Sequence, residues 1–384
     1  MTLAASYYAV IDAGSSGSRI YLYDKKHATN SISVRTLFFY EPEQIAALSS
    51  FSEKPEQAGP KGIAPLLDRL SGVLQEKGIS KNDIQLDLLA TAGMRLLSDD
   101  IASRIYSSVR ESMIAADYKP NQIRTITGQD EGLFSWADVN YLAGTFDQGR
   151  TSVGLVEVGG ASAQVVFEAD RSTLPLRTVQ VFGKSYTVVA LSYLGLGQNQ
   201  ARYAMLKSPF AKNTGGFVCY PHSTDSSMVF KTGITKIPGP EGNYGSDCLQ
   251  AYKDVIRNTA SKPENLNARF ERIRESAGFD QKQFIAISST YFVARDWGVL
   301  DQGDIRAGFF NTQASYCSGQ NAWSRISQKL GTKSFAQNAC ANTTFIYALL
   351  FSSEGLDFES SRVTVTNNID GHGLTWTRGF VLLN

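Results

Sequence analysis

The chain has 384 residues, 42% of them hydrophobic and 19% charged, a length that exceeds one typical core and predicts two domains. The formal net charge is +1, which excludes a nucleic-acid binder held by a general basic surface while leaving room for a local cationic pocket around a small anion. No apolar run approaches the roughly 20 residues needed to span a bilayer, so no membrane span is expected.

MTLAASYYAV lacks the basic start and apolar core of a signal peptide; an exported form would already have lost its signal. SYYAVIDAG runs as a strand into a glycine turn, and RIYLYD alternates at once behind it, predicting a β-hairpin over residues 6–24. IAPLLDRLSGVLQEKG has helical apolar spacing, IQLDLLATAG reads as a strand into a small-residue turn, and DDIASRIYSSVRESMIAA as a helix. NQIRTITGQDEGLFSWADVNYLAG reads as strand, loop and helix. A boundary is expected at residues 145–150, after which GLVEVGG and AQVVFEAD form a second hairpin over residues 154–170. SYTVVALSYLGLGQNQARYAMLK is a strand, a glycine turn and a helix, and residues 211–247 form a turn-rich insertion. FIAISSTYFVARDWG reads as a core strand with an aromatic-rich exit, and NACANTTFIYALLFSSEG as a buried helix ending at Gly355. The final GLTWTRGFVLL is apolar enough to dock on a core, crossing back to the first domain. The pattern is that of α/β layers with mixed sheets.

The four cysteines, Cys219, Cys248, Cys317 and Cys340, make no CxxC pair, and the chain has only three histidines, so no zinc-ligand spacing is present. They permit two disulfides in three connectivities. Cys219–Cys248 and Cys317–Cys340 are favoured because each staples a local Gly- or Asn-rich excursion, contributing about 3 kcal/mol; four buried free thiols are the alternative.

Four short stretches carry chemistry. In DAGSSGSR, a strand ends in Asp12 and turns through Gly14, Ser15, Ser16, Gly17 and Ser18 to Arg19. Such a turn leaves backbone N–H groups and hydroxyls open to an anion, with a carboxylate able to hold a hydrated cation. EVGGASAQ repeats the device, Glu157 matching Asp12 and Gly159, Gly160, Ala161 and Ser162 the small positions. Two such hairpins facing each other would hold tandem phosphates from both sides. TGQDEGLFSW places Asp130 and Glu131 in the loop before a helix, where a carboxylate can activate water or simply favour a helix N-terminus. ATAGMRLL offers Thr91 and Arg95, to brace the acidic loop or contact phosphate.

DAGSSGSR, ATAGMRLL, TGQDEG and VEVGGASAQ occur in the order and spacing of four conserved regions of the ecto-nucleoside triphosphate diphosphohydrolases, or apyrases, which the chain resembles almost throughout. IDGHGLTWTRG, with Trp376 and Gly379, is similar to a loose fifth region. The resemblance implies the actin, sugar-kinase and heat-shock ATPase superfamily, with two related ribonuclease H-like domains around a nucleotide cleft. These are expected at residues 1–147, completed by 365–384, and at 148–364. It further implies hydrolysis of nucleoside tri- and diphosphates of the ATP, ADP, GTP and GDP class with Mg²⁺ or Ca²⁺, Mn²⁺ being a third candidate.

On this resemblance Glu131 is the catalytic base, Ser162 and Gln164 position the water, and Asp12 and Glu157 hold the metal largely through water. Ser15, Ser16, Gly17, Ser18 and Arg19, with Gly159, Gly160 and Ala161, form the phosphate loops, supported by Thr91 and Arg95. Phe345 and Tyr347 lie where an aromatic can stack on the base, although the same helix also reads as a buried face. Family members usually carry Asp at Glu157 and Thr at Ala163. The cysteines and the resemblance imply a secreted, extracellular or periplasmic protein, and with no coiled-coil heptads or obvious association segment in the sequence a monomer is expected. Competing readings are an exopolyphosphatase, a sugar or carboxylate kinase, and a nucleotide-gated module without turnover.

Overall fold

The computed structural model describes residues 6–28, 31–43, 45–147, 150–169, 171–213, 216–221, 226–230, 233–237, 246–262, 269–276, 278–319, 321–331 and 334–384. The predicted first hairpin is β1 (Ser6–Ala13) and β2 (Ser18–Ala28). β2 runs four residues beyond the expected end because it also pairs with β3 (Ser31–Tyr40), an edge strand that the sequence reading missed. After α1 (Ala64–Lys77) come β4 (Ile84–Ala90), the short α2 (Ala92–Arg95), α3 (Asp99–Ala115), β5 (Pro120–Thr125) and α4 (Gly128–Leu142). The first sheet has the order β3-β2-β1-β4-β5, antiparallel through the hairpins and parallel from β1 to β5.

The second hairpin, β6 (Gly154–Val158) and β7 (Ser162–Glu168), continues into β8 (Leu176–Val181), β9 (Lys184–Leu194) and α5 (Gln198–Met205). In the predicted insertion the described residues form two short antiparallel pairs, β10 (Lys212–Asn213) with β11 (Gly216–Phe217) and β12 (Ser226–Phe230) with β13 (Gly233–Ile237). Helices α6 (Ser246–Ala260) and α7 (Phe270–Arg274) precede β14 (Phe284–Ser288). The aromatic-rich exit from β14 is a regular helix, α8 (Ser289–Trp297), followed by α9 (Ile305–Tyr316), α10 (Ala322–Leu330), α11 (Ser334–Gln337) and α12 (Ala339–Phe351). α12 stops at Phe351, short of Gly355, whose backbone closes against the Ala348 and Leu349 carbonyls. Adding β15 (Val363–Val365), the second sheet is β15-β14-β6-β7-β9-β8. From the hairpin outward, two parallel strands lie on one side, as in the first sheet, and two antiparallel strands on the other, where the first sheet has one.

Disulfides join Cys219 to Cys248 and Cys317 to Cys340, the expected pairing. After a two-residue pair, β16 (Asn368–Ile369) with β17 (His372–Gly373), the chain ends in α13 (Trp376–Leu383), which packs on α4 and on β1–β3. Tyr23 Oη and Thr377 Oγ1 share a buried 2.6 Å hydrogen bond, and Lys25 Nζ donates to the Val381 carbonyl at 2.8 Å. One apolar cluster runs from Val10 and Leu89 through Trp136 and Phe380 to Leu155 and Val166. The two sheets therefore share a core, with α4 and α13 between them. Gly379 permits this packing, since a Cβ there would stand 1.8 Å from the Phe134 carbonyl oxygen.

Candidate active site

The two loops that looked alike in sequence have the same hydrogen bonding. Gly14 N–H donates to the Gly17 carbonyl at 2.9 Å, and Gly159 N–H to the Ser162 carbonyl at 3.0 Å. Register matches too: Asp12 pairs with Arg19 across the first hairpin, and Glu157 with Gln164 across the second. The loops meet, since a Cβ on Gly160 would lie 2.6 Å from Ser15 Oγ. Between them is a cleft of about 300 Å³ whose wall includes Asp12, Ser15, Ser16, Arg19, Thr91, Glu131, Glu157, Gly159 and Gly160.

Other predicted residues stand behind that wall. Ser18, Ala161, Ser162 and Gln164 are buried, at 2%, 3%, 2% and 1% exposure. Gly17 closes the first turn. Gln164 Nε2 donates to Ser162 Oγ at 2.7 Å and to Glu131 Oε2 at 3.2 Å. The first-loop arginine turns to carboxylates: Arg19 Nε contacts Asp12 Oδ2 at 3.0 Å and Nη1 contacts Glu41 Oε1 at 3.0 Å.

Asp130 and Glu131 belong to the first turn of α4, not to a preceding loop. Thr127 caps the helix, its Oγ1 accepting from Asp130 N–H at 3.1 Å. Consecutive helical residues point in different directions, which separates the two acids. Asp130 reaches Arg177 at 2.8 Å, whereas Glu131 enters the cleft, where Arg95 Nη2 donates to its Oε2 at 2.6 Å.

Three carboxylates thus share one cleft, and burial raises the pKa of each. Arg19 opposes the rise at Asp12, and Arg95 opposes it at Glu131. Glu157 is pushed up to about 8 by burial first and then by the charge of Glu131. It accepts hydrogen bonds from Ser135 Oγ at 2.5 Å and Ser288 Oγ at 3.2 Å. Asp12 Oδ1 is buried with no hydrogen-bond partner among the described residues. Among the described residues no group of three or more His, Cys, Asp or Glu is arranged to cage a metal directly. Facing carboxylates and an orphaned oxygen fit a hydrated divalent cation better than a direct cage.

Phe345 and Tyr347 do not reach the cleft. Phe345 is 0% exposed and packs on Tyr252, and Tyr347 packs on Phe310 and Phe351. The aromatics on the wall are Tyr21, Phe292 and Trp376, joined by Gln198, Asn199, Ser288, Leu374 and Thr375. Sequence signals for several of these existed in LGLGQN, STYF and GLTW. Ser289 and Phe292 share the wall because α8 is a helix, which sets residues three apart on one face.

Two mixed sheets that share a five-strand arrangement, the second with one added edge strand, and whose matched hairpin loops close on a carboxylate-lined cleft, define an α/β protein of the actin-like fold. The chain belongs to the GDA1/CD39 (nucleoside phosphatase) family, which it matches over residues 3–384, and is an enzyme of that class. It is 28% identical over 451 aligned residues to the Golgi apyrase of Saccharomyces cerevisiae, covering 97% of this chain and 69% of that protein. It is likewise 28% identical to the nucleoside-triphosphatase of Pisum sativum, covering 92% and 81%. Among solved structures, a nucleoside triphosphate hydrolase from Neospora caninum superposes with a TM-score of 0.61 at 16% identity, over 99% of this chain and 92% of that one. The Ppx/GppA family member of Aquifex aeolicus gives 0.53 at 12% identity, over 99% and 97%. These structural likenesses show the shared fold.

Proposed function

We infer that the enzyme hydrolyses nucleoside tri- and diphosphates stepwise to the monophosphate and phosphate. The observation that carries this reading is the meeting of the loops at Ser15 and Gly160, with Glu131 on the wall between them. Open backbone N–H groups and the Ser15 and Ser16 hydroxyls bind the phosphate chain from the first loop, and the Gly160 N–H from the second, where the Gly159 N–H instead closes the turn on the Ser162 carbonyl. Glu131 accepts a proton from water as the water oxygen bonds to the terminal phosphorus. The bond from that phosphorus to the bridging oxygen breaks, and the shortened nucleotide leaves with the bridging oxygen. Gln164, bonded to both Ser162 and Glu131, orients the carboxylate. Such a base supplies about 10²- to 10⁴-fold; alignment and charge complementarity supply the rest.

Asp12 and Glu157 would hold Mg²⁺ or Ca²⁺, or Mn²⁺, mostly through water. When bound, the cation offsets negative charge on the phosphate oxygens. The two disulfides support an oxidising location, secreted or periplasmic. The cleft is complete within one chain, so a monomer suffices.

Phosphate release from ATP, ADP, AMP and inorganic polyphosphate, with Mg²⁺ or Ca²⁺ and with EDTA, tests the reading. The expected result is metal-dependent release from ATP and ADP only, abolished by Glu131→Gln with nucleotide binding retained. Preferential polyphosphate cleavage, or turnover surviving in Glu131→Gln, overturns it.

A further inference from the structure

Glu131, Ser135 and Asp138 follow the i, i+4, i+7 spacing of a single helical face on α4, and each bonds a different part of the chain. Glu131 meets Arg95, and Ser135 donates to Glu157. Asp138 takes no part in the proposed reaction and meets the C-terminal segment instead. Arg378 Nε donates to its Oδ1 at 2.5 Å and Nη2 to its Oδ2 at 3.2 Å, the arginine being 3% exposed and the aspartate 1%.

The pair also holds backbone. Thr375 N–H donates to Asp138 Oδ2 at 2.8 Å, and Arg378 Nη2 donates to the Gly373 carbonyl at 2.5 Å. These two attachments bracket Leu374, and Leu374, Thr375 and Trp376 all line the cleft. From the opposite side β2 grips the same segment, through Tyr23 on Thr377 and Lys25 on the Val381 carbonyl. Stability alone does not call for a buried ion pair, because apolar residues of similar volume often replace one at no cost. What an apolar pair cannot do is hold the Thr375 N–H and the Gly373 carbonyl.

We propose that Asp138 and Arg378 are positioning residues for substrate binding: the pair straps the Leu374–Trp376 wall of the cleft to α4, the helix that presents Glu131. The inference rests on the nucleotide reading above and adds two residues to it. Glu131 has restraints of its own in Arg95 and Gln164, so loss of the strap displaces the wall and leaves the acid in place. The kinetic signature is a weaker hold on the substrate with the chemical step retained. A role confined to stability has the opposite signature, since a loosened α4 lowers kcat and Tm together.

The test replaces both partners at once, Asp138→Leu with Arg378→Met, so that neither charge is left buried alone. KM for ADP with Mg²⁺ is expected to rise about tenfold, the size of one lost hydrogen bond, with kcat within about threefold of wild type and Tm near it. Arg378→Lys, which keeps the charge and gives up the fork, is expected to give a smaller rise in KM. In a Trp376→Ala background the paired replacement should raise KM less than about twofold, because the wall it places is already gone. An unchanged KM in both the paired variant and Arg378→Lys, or a full tenfold rise in the Trp376→Ala background, overturns the proposal. Amide hydrogen exchange of the ligand-free protein tests the strap without turnover: exchange at Thr375 is expected to quicken in the paired variant, and unchanged exchange overturns it. If the wild-type protein releases no phosphate from nucleotides, the functional reading falls, and the exchange result alone decides whether the pair holds the wall.

Discussion

Arg95 Nη2 donates to Glu131 Oε2 at 2.6 Å, with the two side chains 14% and 11% exposed. Arg95 Nε is anchored on the Ile126 carbonyl at 2.9 Å, so the guanidinium is fixed from the strand side and holds the acid from the other. Burial raises the Glu131 pKa and Arg95 restrains that rise. Removing the cation in Arg95→Met therefore shifts the acidic limb of the kcat–pH profile to higher pH. Arg95→Lys keeps the charge but loses the two-sided fork, lowering kcat about tenfold or more with a smaller shift. An unmoved acidic limb in Arg95→Met would remove Arg95 from the tuning of Glu131.

Glu157 makes stability depend on pH with a definite sign. Its folded pKa, near 8, lies above the unfolded carboxylate value, so between the two the native state holds a proton that the unfolded chain has released. Without divalent cation, stability falls as pH rises through that window, with a limiting slope of about 1.4 kcal/mol per pH unit. Urea midpoints in EDTA from pH 5 to 8 are expected to show this fall, and Glu157→Gln to flatten it. Excess Mg²⁺ or Ca²⁺ should also flatten it, because a cation favours the ionised form. An unchanged slope in Glu157→Gln would contradict the assignment.

Ser288 sits at φ 62°, ψ −124°, a backbone region costly for any residue with a Cβ. It is held there by its N–H on Asn367 Oδ1 at 2.7 Å, which turns its hydroxyl toward Glu157. Comparing Ser288→Ala with Ser288→Gly isolates the backbone contribution, since both lose the hydroxyl. The glycine variant is expected to be more stable by about 1 kcal/mol, read from urea midpoints. An alanine variant as stable as the glycine one would show that the backbone stores no strain there.

Gly379→Ala presses a methyl into the Phe134 carbonyl oxygen, 1.8 Å from the ideal Cβ position. Overpacking of this kind costs about 1–3 kcal/mol. The displaced partner is α4, which carries Glu131 and Ser135, so kcat should fall together with Tm. Gly371→Ala, in a turn with open space around it and φ 82°, should lower Tm through backbone strain alone while leaving kcat near wild type. Equal effects on kcat would show that α13 does not position α4.

What the sequence determined by itself was local. Asp12 and Glu157 at strand ends, the small residues after them and the helical spacing of Leu66, Leu67, Leu70 and Leu74 specify their elements through backbone freedom and periodicity, which act within a few residues. The recurrence of the loop device and the family motifs made the cleft legible as well. The edge strand Ser31–Tyr40 escaped because its pairing comes from β2 and its own alternation is weak. Tertiary structure alone decided that Asp130 turns to Arg177, that Arg19 serves Asp12, and that Phe292 reaches the wall while Phe345 is buried. It also set Arg202 on Asn342, 140 positions away. A side chain's partner is set by where two packed elements bring distant residues together, and a pattern of 2 or 3.6 residues carries no information about that distance.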